Sequence, residues 1–254
     1  ASTKTVLKEY KKLKIDLKKI KLIPNGINLS YLQNFKDKKL LKYDLGISCN
    51  DFVFLCFGRY HRKKNFSSVL KAAVLLKKQK IKNFSIIIGG KDVSYLKEEV
   101  KKLNLLDTVY LYEPNTKNKE DKLINLPSTD VLRAYYSSDC FVMPSKIETF
   151  GIVTIEAMAF GLPVIISKAP GNIDVVRNGK DGIMYDNDAH SKNLAFYMKK
   201  ILIDKNFYNE YKKKSLIRVK NFDWPNLVKE YLVIYEDIVK KNYSSHLDEK
   251  RLLE

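Results

Sequence analysis

Cysteine is nearly absent from this chain of 254 residues: there are three, Cys49, Cys56 and Cys140, none at C-x-x-C spacing. That excludes a disulfide framework and a thiolate metal centre. Two of the three sit in apolar runs, where buried free thiols of a reducing compartment are expected. Arginine is scarce as well. Of 47 basic residues only six are arginines (59, 62, 133, 177, 218 and 251), and the lysines are spread over the whole length. Readers of base edges gather arginine and asparagine on one groove-facing element, and no such element is found. The net charge of +18 is therefore read as a solvated lysine surface, not as a sign of a specific nucleic-acid partner. A peripheral contact with anionic lipid headgroups at the inner face of a membrane stays open. No apolar run approaches the roughly 18–20 residues of a membrane span, and the opening ASTKTVLKEYKKLK lacks a signal-peptide core. A cytoplasmic location is the expectation. Histidine is thin too: His61, His190 and His246 stand apart, without ligand spacing, and no metal is expected in catalysis.

What is present is apolar residues at 45% and a regular alternation of short apolar runs with helical patterns, enough for one α/β domain. Residues 3–14 fit an amphipathic helix with Val6, Tyr10 and Leu13 on one side. Lys19 to Ile23 alternates like a strand. Pro24-Asn25-Gly26 then reads as a turn, because Asn-Gly readily takes positive φ. Further strands are expected at 51–58, 83–90, 109–112, 140–143, 163–167 and 183–185. Helices are expected at 36–45, 66–80, 93–104, 128–137, from 152, 173–177, 189–203, 205–219 and 223–241. Residues 113–127 carry no period and read as an insertion or flap, and about 243–254 as a frayed polar tail. Strands alternating with helices and few hairpin signals predict a Rossmann-like parallel sheet with helices on both faces. The expected division is a helical lead-in at 1–18, the sheet domain at 19–222, and a final helix and tail at 223–254.

The stretch Pro144–Val164, PSKIETFGIVTIEAMAFGLPV, follows an apolar strand and joins a glycine loop to a helix N-terminus. Unpaired N–H groups and the helix dipole make that junction an anion site. Two carboxylates there, Glu148 and Glu156, would repel a bare phosphate and suit hydroxyl groups instead. A ligand with both phosphate and hydroxyls is a nucleotide sugar.

Pro144, Ser145, Glu148, Phe150, Gly151, Glu156, Ala157, Met158, Ala159, Gly161, Pro163 and Val164 together resemble the E-x7-E motif of retaining glycosyltransferases of the GT-B fold, the family that includes sucrose and glycogen synthases. The likeness runs over most of 19–241 and implies the C-terminal, donor-binding half of such an enzyme. Gly58-Arg59 and Lys64-Asn65 are similar to the family's diphosphate clamp, with Arg59 and Lys64 stabilising the departing nucleoside diphosphate. The resemblance gives Glu148 to the donor sugar and Glu156 to the ribose hydroxyls. Backbone N–H groups of Phe150, Gly151, Ile152 and Val153 would meet sugar and phosphates, and Tyr112 with Val131 or Leu132 would lie near the base. Arg59, Lys64 and Glu148 are the catalytic candidates.

The resemblance also implies that the chain begins near the end of a first, acceptor-binding domain whose body is missing. No cofactor is implied beyond the donor substrate, with UDP-sugar favoured and GDP or ADP as alternatives. The acceptor would be a glycan or lipid-linked molecule of cell-surface synthesis. Two departures stand out: Asp174 replaces the family's usual glutamate after Pro170-Gly171, and the 113–127 segment is long. Front-face attack and double displacement both stay open. So do a domain that binds nucleotide sugar without turnover and a basic membrane- or nucleic-acid-associated module.

Overall fold

A computed structural model describes residues 1–37, 40–115, 126–186 and 191–251, with side chains through 240. Its centre is a six-stranded, all-parallel sheet in the order β3-β2-β1-β4-β5-β6. The strands are β1 Phe52–Phe57, β2 Phe84–Gly89, β3 Val109–Tyr112, β4 Cys140–Met143, β5 Val164–Ser167 and β6 Ile183–Tyr185. All six lie where the sequence places them, and the fold is the expected Rossmann-like one.

The apolar runs are continuous because both faces of the sheet are covered, so the side-chain alternation of a strand sends every residue into a core. In β1, Val53, Leu55 and Phe57 enter one hydrophobic cluster, while Phe54 and Cys56 enter the other. Cys140 and Cys56 are buried and Cys49 is exposed, all three unpaired. Truncating a fully buried side chain such as Leu55 to alanine costs about 3 kcal/mol by lost transfer energy plus a cavity.

The helices are α1 Lys4–Lys12, α2 Leu29–Asn34, α3 Leu41–Asp44, α4 Phe66–Lys78, α5 Lys97–Lys102, α6 Thr129–Tyr136, α7 Ile152–Ala159, α8 Asn172–Val175, α9 Lys192–Ile203, α10 Lys205–Val219 and α11 Trp224–Arg251. Helix α4 buries Phe66, Val69, Leu70, Ala73 and Leu76, the spacing of one helical face, against the β1–β2 side and α9. Helices α6 and α7 carry buried residues into the opposite cluster.

Several expectations are corrected. Lys19–Ile23 is no strand. A 3-10 turn occupies Leu17–Lys19, and the chain then runs extended to Ile27, which makes a single bridge to Asp223. Neither Asn25 nor Gly26 takes positive φ. Gly26 is required for another reason: a Cβ there would stand 2.7 Å from the Trp224 ring. Helix 93–104 divides into a 3-10 turn, Val93–Leu96, and α5. Helix α2 was not anticipated, and α11 continues past the expected end at 241. Most of the 113–127 segment, at 116–125, lies outside the described residues, as do His190 and the side chain of His246.

Candidate active site

Strands β1 and β4 are neighbours although β2 and β3 intervene in the chain, so the crossover direction reverses between them. Ligands of open parallel sheets bind beyond the carboxyl ends of the strands at that reversal. Here the reversal places the loop 58–65 after β1 beside the loop 144–151 after β4. Three links tie the loops: the Lys146 N–H donates to the Lys63 carbonyl at 2.7 Å, Asn65 Nδ2 donates to the Pro144 carbonyl at 3.2 Å, and Lys64 Nζ meets Glu148 Oε1 at 2.6 Å. The basic clamp and the first glutamate, 84 residues apart, thus share one crease.

Glu148 is held on several sides. Ser145 Oγ donates to its Oε1 at 2.7 Å, and its own N–H donates to the Pro170 carbonyl at 3.0 Å. The 170–171 turn passes so close that a Cβ on Gly171 (φ +85°) would fall 2.1 Å from the Glu148 carbonyl oxygen. Lys64 and Glu148 are mostly withdrawn from solvent, with 22% and 11% of their side chains exposed. Gly58 leaves room for the Lys64 stem: a Cβ there would lie 3.2 Å from its Cε. Arg59 is exposed at the tip of β1 and makes no ion pair or hydrogen bond among the described residues.

Gly151 (φ +80°) opens α7 without a side-chain cap, which leaves the first N–H groups of that helix without a side-chain partner. Beside it, Asn172 Oδ1 and Thr154 Oγ1 are buried without a partner, at 3.4 and 3.5 Å from where a Gly151 Cβ would stand. Orphaned acceptors at a helix N-terminus leave a place for a hydroxyl-bearing ligand or a water.

Glu156, one turn further along α7, lies in a different environment. Only 8% of it is exposed, and its Oε2 accepts from the Tyr135 hydroxyl at 2.8 Å. Burial pushes its carboxyl up to about 7, against the smaller downward pull of the Tyr135 hydrogen bond. It opens on a cavity of about 40 Å³ walled by Ile27, Asn28, Pro127, Ile152 and Trp224, none of them charged.

The structure therefore brings Lys64 and Glu148 together before the start of α7, and sets Glu156 in a cavity that Ile152 also walls. Val153 is half-buried, and Phe150 is a core ring, edge-on to Phe222 at 5.9 Å, so only its main chain can serve a ligand. Leu132 is not brought to the site: at 1% exposure its side chain is packed in the core. Tyr112 is half-buried, with its hydroxyl donating to the Asp130 carbonyl at 3.3 Å. His61 accepts from the Lys63 N–H through Nδ1 and so shapes the clamp turn.

Asp174, the substituted glutamate, accepts from both the N–H and the hydroxyl of Thr5 at 3.2 and 2.9 Å, so α1 rests on the turn beside Glu148. Sequence reasoning gave no role to Tyr135, Ser145, Thr5, Thr154 or Asn172: Tyr135, Thr5 and Asn172 matter through contacts between distant segments, while Ser145 and Thr154 lie within the motif stretch itself. The expectation of no catalytic metal assumed that the chain holds no Asp-x-Asp spacing, and this is corrected: one occurs, Asp186-Asn187-Asp188. Asp186 faces Lys168 at 3.8 Å, and the other two residues lie outside the described set.

A parallel sheet with a crease lined by a lysine and a carboxylate at its reversal is the frame of a Rossmann-like ligand-binding domain. Residues 37–217 match the family described as glycosyl transferases group 1, and the chain belongs to it. Among curated relatives, sucrose-phosphate synthase of Spinacia oleracea is 29% identical over 71% of this chain, and the match spans 18% of that enzyme. Probable sucrose-phosphate synthase 2 of Craterostigma plantagineum is 30% identical over 71% of this chain and 17% of its own length. The chain thus corresponds to less than a fifth of these relatives. Among solved structures, a glycosyltransferase from Rickettsia africae superposes with a TM-score of 0.80 at 21% identity, covering 94% of this chain and 63% of that one. Alr3699/HepE from Anabaena, in complex with UDP and glucose, superposes at 0.76 and 21% identity, covering 94% and 62%. These likenesses establish the Rossmann-like fold of one domain of the GT-B glycosyltransferases.

Proposed function

We propose that the crease between the β1 and β4 loops binds a nucleoside diphosphate sugar, UDP-sugar first, and that the domain serves transfer of the hexosyl group to a glycan or lipid-linked acceptor. The observation that carries this reading is the Lys64–Glu148–Ser145 contact, which joins the two loops at the start of α7. In this reading the diphosphate takes Lys64, Arg59 and the free N–H groups of α7. A mobile ammonium and a planar guanidinium suit phosphate oxygens, and the helix terminus adds its partial positive charge. Lys64 must turn from Glu148 to the phosphate as the donor arrives, which leaves Glu148 to accept from the sugar hydroxyls. The bond from the anomeric carbon to the diphosphate then breaks, the acceptor oxygen bonds to that carbon, and the acceptor proton passes to the leaving phosphate. Attack on the leaving-group face makes the reaction retaining without a covalent enzyme intermediate.

The acceptor surface is proposed to come from the part of the relatives that this chain does not match. Alone, the chain is then a donor-binding domain with little or no turnover. Calorimetric titration with UDP, GDP, ADP and UDP-glucose tests the reading. UDP is expected to bind, and Lys64→Ala and Glu156→Ala each to weaken it by about tenfold or more, the loss of one charge-assisted contact. Equal affinity for wild type and both variants would refute it.

A further inference from the structure

Tyr135 lies outside the motif and touches no solvent, yet it makes the one side-chain hydrogen bond found for Glu156 among the described residues. Its ring is boxed in by three others: stacked on Phe160 at 5.6 Å and 20°, and tilted against Phe57 at 5.9 Å and Phe141 at 6.2 Å. A ring held on three sides cannot swing, so the hydroxyl is a fixed point on α6. A glutamate side chain has three rotatable torsions and would otherwise sample many positions.

With Oε2 on the phenol, the carboxylate is left with Oε1 and its remaining lone pairs toward the cavity beside Ile152 and Trp224. The cavity, about 40 Å³, admits a hydroxyl or a water and not a ring, so a sugar can only present an edge to it. We propose that Tyr135 is a positioning residue for the nucleotide: its hydroxyl pins Glu156 so that the free carboxylate oxygen is offered to the ribose hydroxyls. The inference rests on the reading of Glu156 as the ribose contact. Tyr135 suits the task chemically, since burial and the neighbouring carboxylate hold its phenol well above its ordinary value and it remains a donor. Among the described residues the walls of the cavity bring no charge, and the hydrogen-bonded neighbour of Glu156 is a neutral phenol, so no described cation competes for the carboxylate.

The test compares UDP with 2′-deoxy-UDP by calorimetry at pH 7.5, or the guanosine pair should UDP not bind. Wild type is expected to prefer the ribonucleotide by about tenfold or more, the scale of one hydrogen bond to a charged group. Tyr135→Phe keeps the ring packing and removes only the hydroxyl. It is expected to bring the preference to about threefold or less while affinity for 2′-deoxy-UDP hardly changes. A merely structural role would weaken both nucleotides alike and leave their ratio intact, which would overturn the proposal.

Glu156→Ala separates the two layers. If it alters neither affinity and wild type does not discriminate, the ribose reading itself falls. If it abolishes discrimination while Tyr135→Phe preserves it, the inference about Tyr135 alone falls. Should Tyr135→Phe not fold, 3-fluorotyrosine at 135 keeps the packing and strengthens the donor. A changed ratio then supports the proposal and an unchanged one overturns it.

Discussion

The two glutamates of the motif stand eight positions apart and end in opposite surroundings. Glu148 sits at the mouth of the crease, in contact with an ammonium and a serine hydroxyl. Glu156 sits in a pit between α7, α2 and the start of α11, where its hydrogen-bonded partner is a phenol and the described walls are apolar or neutral. The difference follows from local structure. A loop residue after β4 can be reached by the β1 loop, whereas the second turn of α7 is packed against α2 and the ends of the chain's first and last loops. The comparison teaches that one motif supplies two carboxylates of different character: one already paired with a charge, the other poised near neutrality by desolvation.

The largest effect that would break the comparison concerns stability against pH. The folded-state pKa of Glu156 is raised from 4.5 to about 7, so the folded protein holds this proton more tightly than the unfolded chain. The associated stability is complete below about pH 4.5 and is lost as pH rises through about 7, a total of about 3 kcal/mol for a group this buried. Glu156→Gln is therefore expected to gain stability over wild type between pH 5 and pH 8 in urea unfolding. Parallel curves for the two proteins would remove the contrast between pit and mouth.

Next in size, Gly26→Ala should push a methyl into the Trp224 ring that walls the pit and cost about 2 kcal/mol through overpacking, read as a lower urea midpoint with unchanged slope. Lys64→Ala should weaken UDP by about tenfold. Smallest is Glu148→Ala, which frees Lys64 from its present partner. UDP affinity is expected to rise about threefold while the preference for UDP-glucose over UDP shrinks, since the ammonium then reaches a phosphate without first leaving a carboxylate. A fall in UDP affinity for that variant would mean that Glu148 supports the clamp instead of occupying it.

Much of this was legible in the chain. Continuous runs such as FVFLCF and FSIIIG announce strands buried on both faces, and the Pro144–Val164 stretch marks the strand, turn and helix of the site. The convergence of Lys64 on Glu148 was expected as a shared pocket and is seen as a direct contact. What could not be read depends on packing between distant segments. The Tyr135 ring shares the helical face of Leu132 and looks like ordinary core, and nothing local says that its hydroxyl meets α7. Leu132 was misplaced for the same reason, since periodicity gives a face but not what that face meets. The Asn25-Gly26 pair was misread because glycine serves two ends, unusual φ or close approach, and only the position of Trp224 decides which.

One seam joins the sheet domain to the segments on either side of it. The Ile27 N–H donates to the Phe222 carbonyl, the Trp224 N–H donates to the Ile27 carbonyl, and Asp223 accepts from the Leu29 N–H. The segment before Leu29 and the start of α11 are therefore fastened to each other by three hydrogen bonds within a few residues. The indole of Trp224 belongs both to that seam and to the wall of the pit beside Glu156, so the place where the flanking segments meet the sheet domain is also one side of the cavity.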